Sequence, residues 1–291
     1  MIDLMRSKLF VPASRPEFFP KALASQADAI CWDLEDSVLP ARREDAREHL
    51  HDLFSELQTN KVVMVRSNPV GSGEFAKDLR VTVSPVLAVL VLPKVGNPDE
   101  VREAAWELSR LERERDLKEP IAILPTIETP RGLRLAKEIA ESSPRVAGLQ
   151  LGLADLFGSL GVRPDDADAA QQVRFRLRLA AAEAGLRCFD SAFSDFINAE
   201  GFMREAAAAR NLGFSGKSCI HPAQIAAANR MFSPSEDETA EAWRIVKTAE
   251  EAGPTGSGAR ALDGRMVDAA DLKRAMQVIQ RANRIRALEH A

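Results

Sequence analysis

Charged residues that directly follow short apolar runs are the candidates for chemistry in this sequence. Five strand-like runs, most of them rich in Val, Ile and Leu, stop at a charge, namely Asp33, Arg66, Lys94, Glu128 and Asp155. A buried parallel strand excludes charge from its middle, because taking a charge out of water is costly. Charges at the carboxyl ends of several such strands indicate one shared polar mouth, which is where a (β/α)8 barrel carries its active site.

Glu128 and Asp155 are the candidate metal ligands. They end neighbouring apolar runs, and no His or Cys pair lies near either of them in the sequence. Hard carboxylate oxygens of this kind suit Mg²⁺, with Mn²⁺ as the alternative ion. Two protein ligands leave several coordination positions for water and a chelating substrate. The alternative interpretation is structural: either acid caps the helix that follows it or pairs with an arginine.

Arg66 and an acidic cluster form the second group of candidates. A guanidinium at a strand end can bind a carboxylate through two hydrogen bonds and stabilise an oxyanion. The alternative is a structural salt bridge to Asp33, Glu35 and Asp36, three acids within four residues. Strand alternation places Asp33 and Glu35 on one face and Asp36 on the other. We expect this cluster to orient Arg66 and to hydrogen-bond metal-bound water.

Lys94 and His221 have less specific signals. A lysine at a strand end can form a Schiff base, but metal chemistry competes with that mechanism, so a structural or electrostatic role is favoured for Lys94. For His221, which follows the eighth apolar run, a structural hydrogen bond is favoured over an acid–base role. The sequence contains no glycine-rich phosphate loop and no nucleophile elbow.

The elements that must position these side chains alternate in type along the chain. Strands are predicted at 8–12, 29–36, 62–68, 88–95, 121–128, 148–155, 188–193 and 214–220. Helices are predicted at 16–26, 40–57, 98–115, 130–141, 166–184, 199–211 and 222–231, with a short third helix between 71 and 85. Eight strands that alternate with helices predict an α/β fold, a (β/α)8 TIM barrel that forms the catalytic domain over residues 1–233.

Residues 234–291 are not needed to close a barrel. They contain two further predicted helices, at 235–252 and 269–288, separated by a glycine-rich link at 253–258 and a turn at 263–264. We predict a C-terminal helical extension that acts as a lid or as an arm contacting a neighbouring subunit. The alternative is a solvated appendage packed on the outside of the barrel.

Composition restricts the class of protein. The 291 residues are 45% hydrophobic, enough for one large α/β core, and the formal net charge is -4. This acidic balance disfavours nucleic-acid and membrane-surface partners. Three scattered cysteines, Cys31, Cys188 and Cys219, indicate free thiols in a reducing compartment. No apolar run has membrane-spanning length and no leader pattern is present, so a cytoplasmic location is expected.

Eight motifs in the same order resemble a known family, the citrate lyase beta subunit and the malyl-CoA and citramalyl-CoA lyases of the HpcH/HpaI aldolase superfamily. The resemblance covers nearly the whole chain. The motifs are RSKLFVP (6–12), DLEDSV (33–38), VRSN (65–68), LPKV (92–95), IETPRG (127–132), GLADL (152–156), GKSCIHP (216–222) and DGRMVD (263–268). Several motifs in one order are far more specific than any single one.

The resemblance implies a metal ion, an arginine that stabilises negative charge, and an active site shared between subunits. It implies Mg²⁺ held by Glu128 and Asp155, and Arg66 beside the developing charge of a 2-oxo acid. It also implies that Asp268 arrives on the C-terminal segment of a neighbouring subunit. The enzyme is then a homo-oligomer, with a trimer favoured, whose active site is complete only in the assembly.

The resemblance further implies where coenzyme A, as part of the substrate, is bound. Family members hold it near the first strand–helix turn. The matching residues here are Ser14, Arg15, Phe18 and Lys21. A phenylalanine can stack on adenine while basic residues contact phosphates.

These groups suit the cleavage of a 3-hydroxyacyl thioester. The reaction needs a polarised C3 oxygen, which Mg²⁺ and Arg66 would provide, and a thioester that accepts electrons as an enolate. Asp268 would return the α-proton in cleavage and remove it in synthesis. The residues predicted to be catalytic are Arg66, Glu35, Asp36 and Asp268. Those predicted to contact the substrate are Arg66 and Glu128.

The predicted protein is therefore a Mg²⁺-dependent carbon–carbon lyase. It would split a malyl-CoA or citramalyl-CoA type thioester into an acyl-CoA and a 2-oxo acid. Two related activities remain open: a citrate lyase beta subunit that releases oxaloacetate from a citryl-carrier thioester, and a metal-dependent aldolase acting on free 2-oxo-4-hydroxy acids. A barrel that has lost activity and only binds is the non-enzymatic alternative, disfavoured by the joint presence of Arg66, Glu128, Asp155 and Asp268.

Overall fold

The eight predicted strands are present and close into a barrel in chain order, with the first strand paired to the last. The computed structural model describes residues 2–251, 260–262 and 265–289. The strands are Ser7–Pro12 (β1), Ala29–Asp33 (β2), Val62–Arg66 (β3), Val89–Leu92 (β4), Ala122–Ile127 (β5), Gly148–Leu151 (β6), Arg187–Asp190 (β7) and Gly216–Cys219 (β8). Every neighbouring pair around the barrel is parallel, which confirms the predicted (β/α)8 fold.

Helices connect the strands. They are Phe19–Leu23 (α1), Arg43–Glu56 (α2), Phe75–Thr82 (α3), Pro98–Glu114 (α4), Pro130–Arg134 (α5), Ala136–Ala140 (α6), Leu153–Leu160 (α7), Ala167–Glu183 (α8), Ala199–Asn211 (α9) and Ile225–Met231 (α10). Single 3₁₀ turns lie at Ile2–Leu4, Pro16–Phe18, Pro40–Arg42 and Pro222–Gln224. The predicted helix at 130–141 is divided into α5 and α6 at Leu135.

The chain divides into two compact units, Met1–Arg230 and Met231–Ala291. The second unit contains the helices Glu236–Glu251 (α11) and Ala269–Glu289 (α12) and the antiparallel strands Arg260–Leu262 (β9) and Arg265–Val267 (β10). Helices α11 and α12 pack through Ala242, Ala275 and Ile279. The predicted glycine-rich link at 253–258 and the turn at 263–264 lie outside the described residues. Within the described part of the chain, no helix has the length and apolarity that crossing a bilayer requires.

Strand register decides which side chains meet in the barrel. Cys31 pairs with Met64 and Met64 with Val89, and all three are buried in the interior cluster. Two residues further along β2 and β3, the same register pairs Asp33 with Arg66. The core packing therefore places these two charges side by side at the carboxyl edge of the barrel.

The sixth strand is shorter than predicted, and this changes the setting of Asp155. The prediction of one strand over 148–155 is wrong: Asp155 lies in the first turn of α7, a helix that was not predicted. Buried Leu153, Leu156 and Phe157 recur at helical spacing. A strand and an amphipathic helix follow each other here with only Gly152 between them, so the two apolar patterns merge into one run.

Candidate active site

Arg66 is the centre of a cluster of ion pairs at the mouth of the barrel. Its Nε and Nη2 atoms donate to Asp33 Oδ1 and Oδ2 at 2.6 and 2.7 Å, a two-point pairing. Its Nη1 atom lies 3.2 Å from Glu35 Oε2 and 3.4 Å from Asp36 Oδ2. Burial opposes the charge of Arg66, but the three acids outweigh it and hold the pKa of the guanidinium above its usual value.

All three acids face Arg66, which corrects the predicted strand alternation. Strand β2 ends at Asp33, and the chain turns because the backbone N–H groups of Glu35 and Ser37 both donate to the Asp33 carboxylate at 3.1 Å. Beyond the end of a strand the period of two no longer applies. Asp36 therefore lies on the same side as Asp33 and Glu35.

Lys94 connects this cluster to the next strand end. Its ammonium contacts Glu35 and lies 3.0 Å from Asp36 Oδ1, while its backbone N–H donates to Glu128 Oε1 at 2.6 Å. Burial would lower the pKa of Lys94, but its bonds to Glu35 and Asp36 outweigh burial and raise it. An ammonium held in its charged form is unsuited to Schiff-base formation, which agrees with an electrostatic role.

Glu128 is almost completely buried beside the end of β6. The residue is 3% exposed. A Cβ atom built on Gly152 would overlap Glu128 Oε2 and would lie 2.6 Å from Glu128 Cβ, so a glycine at 152 leaves the room that this side chain occupies. Gly152 was not predicted as a site residue; the feature that could have indicated it is its place between an apolar strand and an apolar helix.

The Glu128 carboxylate lacks compensating charge. Burial raises its pKa to about 8, the N–H bond from Lys94 opposes that rise, and the Asp155 carboxylate adds to it. Asp155 itself is exposed, and its side chain has no hydrogen bond or ion pair with any described residue. No group of three His, Cys, Asp or Glu side chains suited to a metal occurs among the described residues. Among the described residues, the structure thus provides two carboxylates and not a full set of protein ligands for a metal ion.

Lys8 lies below the mouth and was not predicted as a site residue. It shares a strand face with Phe10, which packs on the interior cluster. Lys8 is 1% exposed, and its Nζ donates to Gln150 Oε1 at 2.6 Å. The Phe10 ring centre is 4.8 Å from Lys8 Nζ and 5.1 Å from Arg66 Cζ. The sequence feature that could have indicated Lys8 as a site residue is its charge inside the first strand, where an apolar residue is the norm.

The residues predicted to bind coenzyme A surround the turn after β1. Arg15, Phe18 and Lys21 are exposed and Ser14 is half-buried. The Arg15 guanidinium lies 4.6 Å from the centre of the Phe18 ring, and its Nε donates to Glu17 Oε1 at 2.5 Å. This turn presents an aromatic ring and two cations to solvent, and its binding of coenzyme A stays a prediction.

Asp268 lies in the second unit, immediately before α12. Its Oδ1 accepts the backbone N–H groups of Ala270 and Asp271 at 2.8 and 3.1 Å, and its own N–H donates to Asp271 Oδ2 at 3.2 Å. This reciprocal cap fixes the start of the helix and leaves the Asp268 carboxylate exposed. Its delivery to the site of a neighbouring subunit stays a prediction.

His221 has structural contacts. Its Nδ1 accepts the backbone N–H of Ala223 at 3.2 Å, which caps the 3₁₀ turn at Pro222–Gln224. Its ring stacks on Phe196 with the ring centres 4.8 Å apart. These contacts agree with the structural role favoured for His221.

The fold and the mouth define a class: a (β/α)8 barrel enzyme with an arginine–carboxylate site at the carboxyl ends of its strands. The chain belongs to the HpcH/HpaI aldolase/citrate lyase family, whose sequence model matches residues 6–222. Citrate lyase subunit beta of Escherichia coli (strain K12) is 35% identical over 285 residues, which cover 95% of this chain and 93% of that protein. An L-malyl-CoA/beta-methylmalyl-CoA lyase of Cereibacter sphaeroides is 33% identical over 304 residues, covering 97% of this chain and 96% of the relative.

Solved structures of citrate lyase beta-type proteins are also similar to this chain. CitE from Mycobacterium tuberculosis, in complex with magnesium, acetoacetate and coenzyme A, is 33% identical with a TM-score of 0.79, covering 95% of this chain and 97% of that one. The citrate lyase beta subunit from M. tuberculosis, complexed with oxaloacetate and magnesium, is 33% identical with a TM-score of 0.68, covering 80% of this chain and 100% of that one. The predicted family is confirmed, and with it the predicted enzyme class, since these relatives are named as lyases.

Proposed function

We propose that this protein is a Mg²⁺-dependent lyase that splits a malyl-CoA or citramalyl-CoA type thioester into an acyl-CoA and a 2-oxo acid. The observation that carries the proposal is the charge balance around Glu128. Among the described residues, five carboxylates are opposed by three cations: Asp33, Glu35, Asp36, Glu128 and Asp155 against Lys8, Arg66 and Lys94. With all five carboxylates ionised the excess is two negative charges, which one divalent cation would neutralise; without that cation, burial raises the pKa of Glu128 to about 8.

The donor atoms present fit Mg²⁺. Glu128 and Asp155 supply hard oxygens, and two protein ligands leave positions for water and substrate. Glu35 Oε2 is buried, and its ion-pair contact with Arg66 Nη1 at 3.2 Å lacks hydrogen-bond geometry, which leaves this oxygen able to accept a hydrogen bond from a metal-bound water. The two M. tuberculosis structures compared above are described with magnesium. We infer that Glu128 and Asp155 hold the ion.

The residues around the ion have separate tasks. When bound, Mg²⁺ supplies Lewis acidity to the oxygens of the 2-oxo acid portion. Arg66 is fixed by its two bonds to Asp33, whereas its Nη1 has only longer contacts, at 3.2 and 3.4 Å. Nη1 is therefore the donor that can bind the oxygen on which charge develops. Glu35 and Asp36 hold that nitrogen in place.

Asp268 is the proposed acid–base group. We propose that it serves the site of a neighbouring subunit, in a homotrimer, and moves the proton at the α-carbon of the acyl-CoA. Its carboxylate is exposed in its own subunit. In the same assembly, Ser14, Arg15, Phe18 and Lys21 would contact coenzyme A.

A mixing experiment tests this sharing of the site. Glu128→Gln and Asp268→Asn oligomers should each be inactive. Dissociating and reassociating them together should restore activity, because hybrid sites combine an intact Glu128 with an intact Asp268. Native mass spectrometry would verify that mixed oligomers formed. Mixed oligomers without activity would place Asp268 outside the neighbour's site.

The buried thiols support a cytoplasmic location. Cys31, Cys188 and Cys219 are free and buried, and burial raises the pKa of each to about 12. Thiols of this kind stay protonated and unpaired, which suits a reducing compartment.

The substrate is tested by direct assay. Purified protein is given malyl-CoA and citramalyl-CoA, with Mg²⁺ or with a chelator, and release of 2-oxo acid is measured. We expect metal-dependent release from at least one of the two thioesters. Glu128→Gln should abolish it, whereas the matched control Glu119→Gln, at an exposed position, should behave as wild type. No release from either thioester in the presence of metal would refute the proposal.

The second candidate is a citrate lyase beta subunit, favoured by the 35% identity to the Escherichia coli protein. Such an enzyme would act on a citryl group carried by an acyl-carrier protein and would copurify with other subunits. Activity on the carrier thioester without activity on CoA thioesters would select this alternative. Activity on free 2-oxo-4-hydroxy acids without any thioester would instead select a metal-dependent aldolase.

A further inference from the structure

Lys94 touches both halves of the proposed site through different parts of one residue. Its ammonium contacts Glu35 and Asp36, the acids that hold Arg66 Nη1. Its backbone N–H donates to Glu128 Oε1 at 2.6 Å. The side chain thus serves the arginine cluster, and the main chain serves the proposed metal ligand.

The backbone of Lys94 adopts a conformation that L-residues avoid. Its φ of 54° lies in the left-handed region, where a Cβ atom crowds the following carbonyl. Such a conformation persists only where surrounding contacts hold it, and it concentrates at functional sites. Here the residue in that conformation, two positions after the end of β4 at Leu92, donates its N–H to Glu128.

The turn that contains Lys94 is packed closely on the turn that contains Glu128. A Cβ atom built on Gly132 would overlap the carbonyl oxygen of Val95 and lie 3.0 Å from Thr129 Oγ1. The two loops therefore meet without a side chain between them. We therefore expect a change in the backbone at Lys94 to shift the neighbouring segment as well.

We propose that Lys94 is a positioning residue whose left-handed backbone holds the metal-binding carboxylate of Glu128 while its ammonium holds the acids around Arg66. This inference rests on the function proposed above. The two ion pairs of the ammonium tether the side chain and keep the unfavourable turn closed. Side chain and backbone then have separable effects, one on turnover and one on metal affinity.

Substitutions that separate these effects exist at this one position. Lys94→Gly removes the ammonium but makes the left-handed turn unstrained, so the N–H stays on Glu128. Lys94→Met removes the ammonium and keeps the strain, so the untethered turn opens and the N–H leaves Glu128. Lys94→Asn, which tolerates the left-handed region, and Lys94→Ala, which does not, form a second pair of the same design.

The experiment measures Mn²⁺ affinity by electron paramagnetic resonance and turnover on the best thioester substrate. We expect Lys94→Gly to bind Mn²⁺ within about twofold of wild type and Lys94→Met to bind about five- to thirtyfold more weakly, the size that the strain of one left-handed residue predicts. Turnover should fall about tenfold or more in both, because both lack the charge that supports Arg66. Lys118→Met, at an exposed lysine, should change neither quantity.

The possible outcomes test separately the role of the Lys94 backbone, the role of its ammonium and the proposed function. Equal Mn²⁺ affinity in the Gly and Met variants, with wild-type binding intact, overturns the role of the Lys94 backbone and leaves the proposed function standing. Unchanged turnover in Lys94→Gly overturns the role of the ammonium. Wild-type protein that binds no Mn²⁺ overturns the proposed function and this inference together. Should Lys94→Met fail to fold, the Asn and Ala pair is compared in the same way.

Discussion

Two clusters of buried charge are built on the strands of this barrel, and only one of them is closed. In the closed cluster, Lys217 Nζ lies 2.7 Å from Asp190 Oδ2 and 3.1 Å from Glu205 Oε2. Arg174 binds the same two acids, at 2.8 Å from Asp190 Oδ1 and 3.1 Å from Glu205 Oε2. Two cations face two carboxylates; the side chains of Lys217 and Asp190 are 0% exposed, that of Arg174 is 3% exposed and that of Glu205 is 29% exposed.

The mouth cluster has the opposite properties. Its carboxylates outnumber its cations among the described residues, and the side chains of Lys94 and Asp36 are 37% and 47% exposed. Glu128 accepts one backbone N–H, and burial together with the nearby Asp155 carboxylate raises its pKa. A balanced and largely buried cluster fixes β7 and β8 to the helices outside them. An unbalanced and open cluster can accept a cation and a charged substrate.

Breaking the closed cluster should have the largest effect on stability. Lys217→Met leaves Asp190 and Glu205 to share Arg174, and loss of one partner from a buried ion pair costs about 3–5 kcal/mol. The free energy of unfolding in denaturant measures this loss. Lys118→Met, whose side chain is 79% exposed, serves as the control and should be neutral. A neutral Lys217→Met would mean that the closed cluster does not stabilise the barrel.

Lys8 offers a pH test of the difference between two buried lysines. Unlike Lys217, it contacts no carboxylate among the described residues; its neighbours are Gln150, the Phe10 ring and, at longer range, Arg66, Glu128, Cys31 and Cys219. Burial lowers the pKa of Lys8 from 10.5 to about 8. Between these values the unfolded chain holds a proton that the folded protein has released, so stability rises with pH across this window.

Lys8→Met lacks this titration, which makes it the reference. The wild type should gain about 3 kcal/mol of stability relative to the variant as the pH rises through that window. Denaturant unfolding of both proteins near pH 8 and above pH 10 measures the gain. The cysteines contribute similarly to the pH dependence of stability in both proteins, so their contributions largely cancel in the difference. A difference that does not vary with pH would show that Lys8 is already charged without penalty.

Gly152→Ala tests how tightly the open cluster is built. The added Cβ would overlap Glu128 Oε2. We expect a loss of about 1–3 kcal/mol from overpacking, together with weaker Mn²⁺ binding because the carboxylate must move. Gly158→Ala, in the helix α7 that follows Gly152, is the matched control, since its Cβ would meet nothing within 4 Å. The control should be neutral or stabilising by up to about 1 kcal/mol. Equal behaviour of the two variants would contradict the close fit at Gly152.

Glu128→Gln should have the smallest effect on stability, with the opposite sign from Lys217→Met. Removing a buried charge that lacks a cation should stabilise the metal-free protein by about 1–2 kcal/mol, because the amide oxygen still accepts the Lys94 N–H. Thermal unfolding with a chelator present measures this. Destabilisation of the metal-free variant would indicate that Glu128 is part of a balanced network, like Asp190.

Most of the fold could be predicted from the sequence, and the site only in part. Apolar runs of strand length between helical segments predicted all eight strands, because parallel strands covered on both faces carry a continuous apolar pattern. Helix α7 was missed because its apolar face continues the pattern of β6 across Gly152. The place of Asp155 was wrong for the same reason.

The sequence by itself determined the barrel, the family and the charged residues at the strand ends. These features are local: they follow from the pattern of apolar residues and from short motifs. Only the tertiary structure decided which charges meet. The register of β2 and β3 pairs Asp33 with Arg66, and the left-handed turn at Lys94 reaches Glu128. Contacts between residues far apart in the chain depend on closure of the whole barrel, so no local pattern could show that one charge cluster is balanced and the other open.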